Sequence, residues 1–137
     1  MYTVLLIDDN EANQLIVEKN INTISGDVKI VTQSTYQSAI KWIEDNDLPD
    51  AIIANCHIWS SSNNIFTFID KLRKIGNNTC LPVFASAISI TKKQQIQLLN
   101  YSNLVCLLEM PITLVDAAIV VNQLHKKNFI DTMLFAS

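Results

Sequence analysis

The sequence predicts an α/β fold: a doubly wound, open parallel sheet made of five successive βα units. Three observations predict it. Short apolar runs rich in β-forming residues recur five times along the 137 residues, each followed by a segment with helical apolar spacing. The runs at residues 4–7, 51–54 and 104–108 are continuously apolar rather than alternating, which is what strands covered by helices on both faces require. The length suits one hydrophobic core, and a hydrophobic fraction of 49% against 17% charged excludes a disordered or fibrous chain.

The elements follow in order. Val4, Leu5, Leu6 and Ile7 form the first strand, ended by Asp8-Asp9-Asn10, and Ala12, Leu15, Ile16, Ile21 and Ile24 mark the apolar stripe of the first helix. After Gly26-Asp27, residues 28–31 read as the second strand, and Ser34 is placed to cap a helix with Tyr36, Ala39, Ile40 and Ile43 on its apolar face. Residues 47–50 stop that helix. Residues 51–54 are the third strand, and a polar run at 60–64 leads into a helix with Ile65, Phe68, Ile69 and Leu72 on one side, closing at Gly76. Residues 82–85 are the fourth strand, with Thr91 capping a helix that carries Ile96, Leu98 and Leu99. Residues 104–108 are the fifth, and after Pro111 the last helix spans 113–127. The expected division is one domain over residues 1–127 and an apolar tail over 128–137, too short for an attached output domain.

Composition narrows the functions. With glycine only at Gly26 and Gly76, neither a GxGxxG dinucleotide turn nor a GxxxxGK[ST] phosphate loop can be built. Ten Lys plus Arg against 13 Asp plus Glu, a net charge of −3, argue against nucleic-acid binding through a basic stripe. The apolar runs are too short to span a bilayer, and the start lacks the basic region of a leader peptide, so a cytoplasmic, non-membrane protein is expected. Cys56, Cys80 and Cys106 are odd in number and far apart, which reads as buried thiols in a reducing compartment. No enzymatic activity is expected.

In open α/β sheets chemistry gathers at the carboxyl ends of the strands. Those ends hold Asp8 and Asp9, Asn55, Ser86 and Ala87, and Met110. The segments VLLIDDN, PDAIIANCHI, LPVFASAIS and LLEMPIT, in this order and at these separations, resemble the receiver domain (CheY-like) of two-component response regulators over about residues 3–125. The resemblance implies a flavodoxin-like sheet of strand order 2-1-3-4-5 and a stand-alone component of a phosphorelay. It also implies an acid pair that helps hold Mg2+, an aspartate phosphoacceptor ending the third strand, a Thr or Ser after the fourth, and a Lys before a cis proline after the fifth.

The chain departs from that pattern where phosphoryl transfer needs it. The acceptor position is Asn55, a neutral amide with a delocalised nitrogen lone pair in place of a carboxylate nucleophile. The lysine position is Met110, whose thioether offers neither charge nor donor to a phosphoryl oxygen. The hydroxyl position is Ala87, with Ser86 one residue away. Two carboxylates without an ammonium carry the same formal charge as three with one, so the losses fit together. Asn55 can donate to Asp8 or Asp9, which can also cap the first helix. The expected metal site is Asp8 and Asp9, with weak or absent Mg2+. His57 reads as an exposed loop residue and His125 as a cation at the end of the last helix.

The usual aromatic switch on the fifth strand is replaced by Leu107, with Ala87 opposite. Protein contact is therefore expected to carry the function, through Leu107, Val115, Ile119 and Val120, with a histidine kinase or a second copy as partner. The alternative is a response regulator phosphorylated at a non-standard group such as Ser86 or His57; a small-ligand site in the same crevice is a third reading. The tail adds Phe129, Ile130, Met133, Leu134 and Phe135. Trp59 stands where receivers often have proline, and Asn63 near their usual loop glycine.

Overall fold

A computed structural model describes residues 1–57, 64–75, 81–87, 91–100 and 104–135, with backbone alone at 99, 104–106 and 127–135. The elements run β1 (Tyr2–Ile7), α1 (Glu11–Ile24), β2 (Val28–Gln33), α2 (Tyr36–Asp45), β3 (Ala51–Asn55), α3 (Ile65–Ile75), β4 (Val83–Ala87), α4 (Lys92–Leu99), β5 (Leu104–Glu109) and α5 (Leu114–Phe135). The five strands form one sheet in the order β2-β1-β3-β4-β5, and every neighbouring pair is parallel. This is the doubly wound flavodoxin-like arrangement expected from the sequence.

Both faces of the sheet are covered, so both parities of the central strands are apolar. Leu5, Ile7, Ile52, Ala54, Val83 and Ala85 pack on one side with Tyr36, Ala39 and Ile43 of α2, Phe68, Ile69 and Leu72 of α3, and Leu98 of α4. Val4, Leu6, Ile53 and Phe84 pack on the other with Val17 and Ile21 of α1 and Ala117, Val120, Val121 and Leu124 of α5. β2 is an edge strand, and its exposed Lys29 and Thr32 break the apolar run that the inner strands keep.

Several sequence expectations need correcting. The buried face of α1 is Val17 and Ile21, one turn apart, while Leu15 is 67% and Ile24 41% exposed. α1 packs along α5, and only the residues pointing to that seam and the sheet are covered. The α2 cap is Thr35 rather than Ser34: its side chain accepts from the Ser38 N–H at 3.0 Å, which starts the helix where Tyr36 enters the core. In α4 Thr91 caps as expected, with Gln94 completing a capping box, but Ile96 is 54% exposed. α5 does not stop near residue 127 but continues to Phe135. His125 therefore lies inside that helix, its ring against Tyr2 at 5.6 Å between centroids. Gly76 and Cys80 lie outside the described residues, as do Trp59 and Asn63. No helix among the described residues is long and apolar enough to cross a membrane.

Two bonds close the fold around the last crossover. Asn20 Nδ2 donates to the Ile112 carbonyl at 2.7 Å, joining α1 to the turn before α5. The Met110–Pro111 peptide within that turn is cis. Across the sheet, Thr3 N–H donates to Asp50 Oδ2 and Asp50 N–H to the Thr3 carbonyl, each at 2.8 Å, setting the start of β3 against β1.

Burial predicts how substitutions divide. Phe84→Ala, in the fully covered centre of the sheet, is expected to cost about 3–5 kcal/mol. Leu15→Ala on exposed α1 should stay within about 0.5 kcal/mol of the parent. Urea denaturation midpoints of the two variants measure the difference.

Candidate functional site

The carboxyl ends of β1, β3 and β4 bring Asp8, Asn55 and Ser86 together as the buried polar side chains of the described residues. Asp8 is 2% exposed and follows the last residue of β1, and its backbone N–H donates to the Gln33 carbonyl at 3.0 Å. Its Oδ1 accepts from the Asn10 N–H at 2.9 Å and from Asn55 Nδ2 at 3.3 Å. Gln14 Nε2 holds the Asp8 carbonyl at 2.7 Å. Asp9 is exposed, so the acid pair divides into one buried carboxylate and one solvated one.

Asn55 ends β3 and uses both sides of its amide. Besides donating to Asp8, it accepts at Oδ1 from the His57 N–H at 2.8 Å. Its backbone carbonyl accepts from the Tyr36 hydroxyl. A carboxylate at position 55 would offer Asp8 no proton and would set two anions against each other. The amide donates instead, so the expected contact to Asp8 is present and the one to Asp9 is not needed.

The helix cap is also shifted from expectation. Neither Asp8 nor Asp9 caps α1: Asn10 does, accepting from the Asn13 N–H at 3.0 Å, while Asp8 secures the Asn10 N–H in turn.

Burial raises the Asp8 carboxyl above its ordinary value, against the lowering effect of the Asn10 N–H and the Asn55 amide, and Asp9 raises it further. The charge bearing on Asp8 is another carboxylate, and the position that would carry a lysine carries Met110. The Met110 side chain, with Asn13, Ser86 and Pro111, walls a cavity of about 10 Å³ beside Asp8, room for about one water. Nearby, burial pushes the Cys56 thiol up to about 11, so it stays protonated at neutral pH.

A divalent cation at this place would draw on Asp8 and Asp9. Oδ1 of Asp8 already accepts two hydrogen bonds, Asn55 Oδ1 is taken by the His57 amide, and Asp9 points to solvent. No cluster of three His, Cys, Asp or Glu able to hold a metal occurs among the described residues. The protein oxygens left at this place are fewer than a hard cation coordinates, so water would have to complete its shell.

The other named residues distribute as follows. Ser86 Oγ is buried and lies 3.5 Å from the Ala54 carbonyl, and Ala87 ends β4 with its carbonyl accepting from the Met110 N–H at 3.1 Å. His57 is half-buried rather than exposed. Leu107 is half-buried against the α2–α3 core and sits in register with Ala85; Ala87 pairs with Glu109, because a bulge near Val83 shifts the β4–β5 ladder. Val115 is 70% and Ile119 40% exposed, as an interaction surface needs, but Val120 is fully buried in the core and leaves that set. Tyr36 was legible only as core; its hydroxyl bond to Asn55 follows the rule that a buried Tyr finds a partner for its O–H.

No family model matches the sequence, and no curated protein matches it. Solved structures do. A two-component response regulator from Legionella pneumophila is 20% identical with a TM-score of 0.80, covering 92% of this chain and 99% of its own. A response regulator receiver domain protein from Clostridium thermocellum is 14% identical at a TM-score of 0.77, covering 95% and 99%. The fold is that of a response-regulator receiver domain. The receiver similarity extends to the Mn(2+)-bound form of response regulator Rcp1, 16% identical with a TM-score of 0.70 over 88% of this chain and 89% of that one. Against this receiver fold, Asn55, Ala87 and Met110 occupy the ends of β3 and β4 and the residue after β5.

The raised Asp8 pKa fixes a pH dependence. Its neutral form is favoured on folding, so its contribution is fully present below the unfolded value of 3.8 and is lost as pH rises through the folded value. Asp8→Asn is therefore expected to match the parent in acid and to become the more stable of the two towards neutral pH. Unfolding free energies of both proteins across a pH series test the sign.

Proposed function

We propose that the protein is a receiver-like module of two-component signalling that takes no phosphoryl group at its standard position and acts through protein contact. The observation that carries this reading is the Asn55 amide at the end of β3, committed to Asp8 on one side and to the His57 N–H on the other. Acyl phosphate formation needs an anionic oxygen to attack phosphorus in line, and an amide has none. Phosphoryl transfer depends on positioned positive charge, and Met110 supplies none.

The same reading makes the module non-enzymatic and cytoplasmic, with Mg2+ bound weakly through Asp8 and Asp9 or not at all. A histidine kinase or a second copy of the chain is the partner, met through Leu107, Val115 and Ile119. Residues 1–127 form the receiver-like unit and residues 128–137 its extension. Phosphorylation at Ser86 is disfavoured by burial of its hydroxyl, and at His57 by the half-buried position beside Asn55.

Intact-mass spectrometry after incubation with acetyl phosphate and Mg2+ tests this. The parent is expected to keep its mass, and a gain of one phosphoryl group would overturn the reading. The triple variant Asn55→Asp, Ala87→Thr, Met110→Lys is expected to gain one, because it restores nucleophile, hydroxyl and ammonium together.

A further inference from the structure

We propose that the groove between α3 and α4 binds a free α-amino acid with an apolar side chain, its carboxylate on Arg73 and its ammonium on Asp70. Nothing in this depends on how the crevice of Asp8 and Asn55 functions.

Arg73 is the single arginine among the ten basic residues, and it stands in the last turn of α3. α3 leads from the end of β3 back to the start of β4, so that turn lies at the far end of the domain from the crevice. Phe66, Asp70 and Arg73 are spaced by four and three, which sets them on one face of the helix. Gln97 and Asn100, three apart on α4, complete the lining of a cavity of about 480 Å³. Small-molecule sites occupy roughly 300–1,000 Å³.

The walls are held in place by the fold. Phe66 is half-buried and packs against the α2–α3 core, and Arg73 is half-buried beside it on the same face. The Asn100 N–H donates to the Gln97 carbonyl at 3.2 Å, which fixes the end of α4. Asp70, Gln97 and Asn100 are exposed, and their side-chain heads make no hydrogen bond among the described residues. The five N–H donors of Arg73 exceed what one contact within the fold uses.

The two charges select the ligand. Asp70 and Arg73 are a turn apart, about 5–6 Å between Cβ atoms. No ion pair joins them among the described residues. A simple anion drawn to the guanidinium would meet the Asp70 carboxylate, and a simple cation drawn to Asp70 would meet the guanidinium. An α-amino acid carries both charges on one carbon, so its carboxylate takes the fork of Arg73 while its ammonium takes Asp70. A peptide holds its two termini apart and offers only one of them. From α4, the amides of Gln97 and Asn100 donate to the carboxylate or accept from the ammonium. The Phe66 ring is the apolar wall against which the ligand side chain lies.

A nitrogen-15 NMR titration of the full chain with L-phenylalanine tests the site. Saturable shifts are expected, concentrated at the amides of Phe66, Asp70, Arg73, Gln97 and Asn100. Phenylpropionate lacks the ammonium and phenethylamine the carboxylate, and each is expected to bind about tenfold more weakly or worse. Arg73→Gln and Asp70→Asn are each expected to weaken L-phenylalanine by a similar factor while keeping the parent's thermal midpoint. Arg73→Lys keeps the charge without the fork and is expected to fall between the parent and Arg73→Gln. Absence of saturable shifts, an analogue that binds as tightly as the amino acid, shifts confined to the crevice of Asp8 and Asn55, or an affinity untouched by both charge-removing substitutions would each overturn the proposal.

Discussion

Burial of the sheet on both faces is the constraint on which the rest of the structure depends. β1, β3 and β4 have no solvent-facing side, so their buried positions are apolar until the carboxyl ends, where the buried polar side chains of the described residues gather. Asp8, Asn55 and Ser86 are those residues. Their clustering follows from parallel strands ending at a common edge, where the order β2-β1-β3 reverses direction and leaves a crevice. The geometry of the crevice is thus inherited from the fold, whereas its chemistry is set by which side chains occupy three or four positions.

Those positions are mutually consistent. A buried carboxylate normally needs a cation or several donors, and removing one partner of a buried ion pair costs about 3–5 kcal/mol while removing both is often near neutral. At Asp8 the donors are the Asn10 N–H and the Asn55 amide, and an aliphatic thioether stands where an ammonium would answer an additional anion. Restoring aspartate alone at position 55 would place a second carboxylate against Asp8 with no cation to offset it. Restoring lysine alone would set an ammonium beside the Asp8 carboxyl and lower its pKa without supplying a phosphoacceptor.

Most of the fold was legible because its signals are local. The capping Thr91, the apolar faces of α2 and α3, and the five apolar runs all depend on residues within a turn or two of each other. Strand order came from the resemblance, not from periodicity. What was not legible depends on pairing across the chain. Leu15, Ile16 and Val17 are all apolar, and only contact with α5 decides that Val17 is the buried one. Ala87 pairs with Glu109 and Leu107 with Ala85, a register set in part by a one-residue bulge at Val83 that leaves no mark in a run of apolar residues. Val120 and Ile119 are adjacent and similar in character, yet one is fully buried and the other 40% exposed, since the helix turns about 100° between them. In the site, Asn55 and Met110 were readable as substitutions, but the division of Asp8 and Asp9 into a buried and a solvated acid was not.

The two faces of α5 meet different surroundings. Its inner face is held by the core on the β1–β3–β4 side, and that same core ends at Asp8 and Met110. In a receiver that switches, a hydroxyl after β4 and an aromatic ring on β5 relay the state of the crevice towards the outer surface. Here Ala87 has no hydroxyl, and Leu107 has no ring and packs against the α2–α3 core. A ligand can shift an equilibrium only by as much as it prefers one state over the other. On the proposed reading, a relay of that pattern lacks both its hydroxyl and its ring here. Contacts made at the exposed Val115 and Ile119 would then depend on concentration and not on the state of the crevice, as a constitutive binder requires.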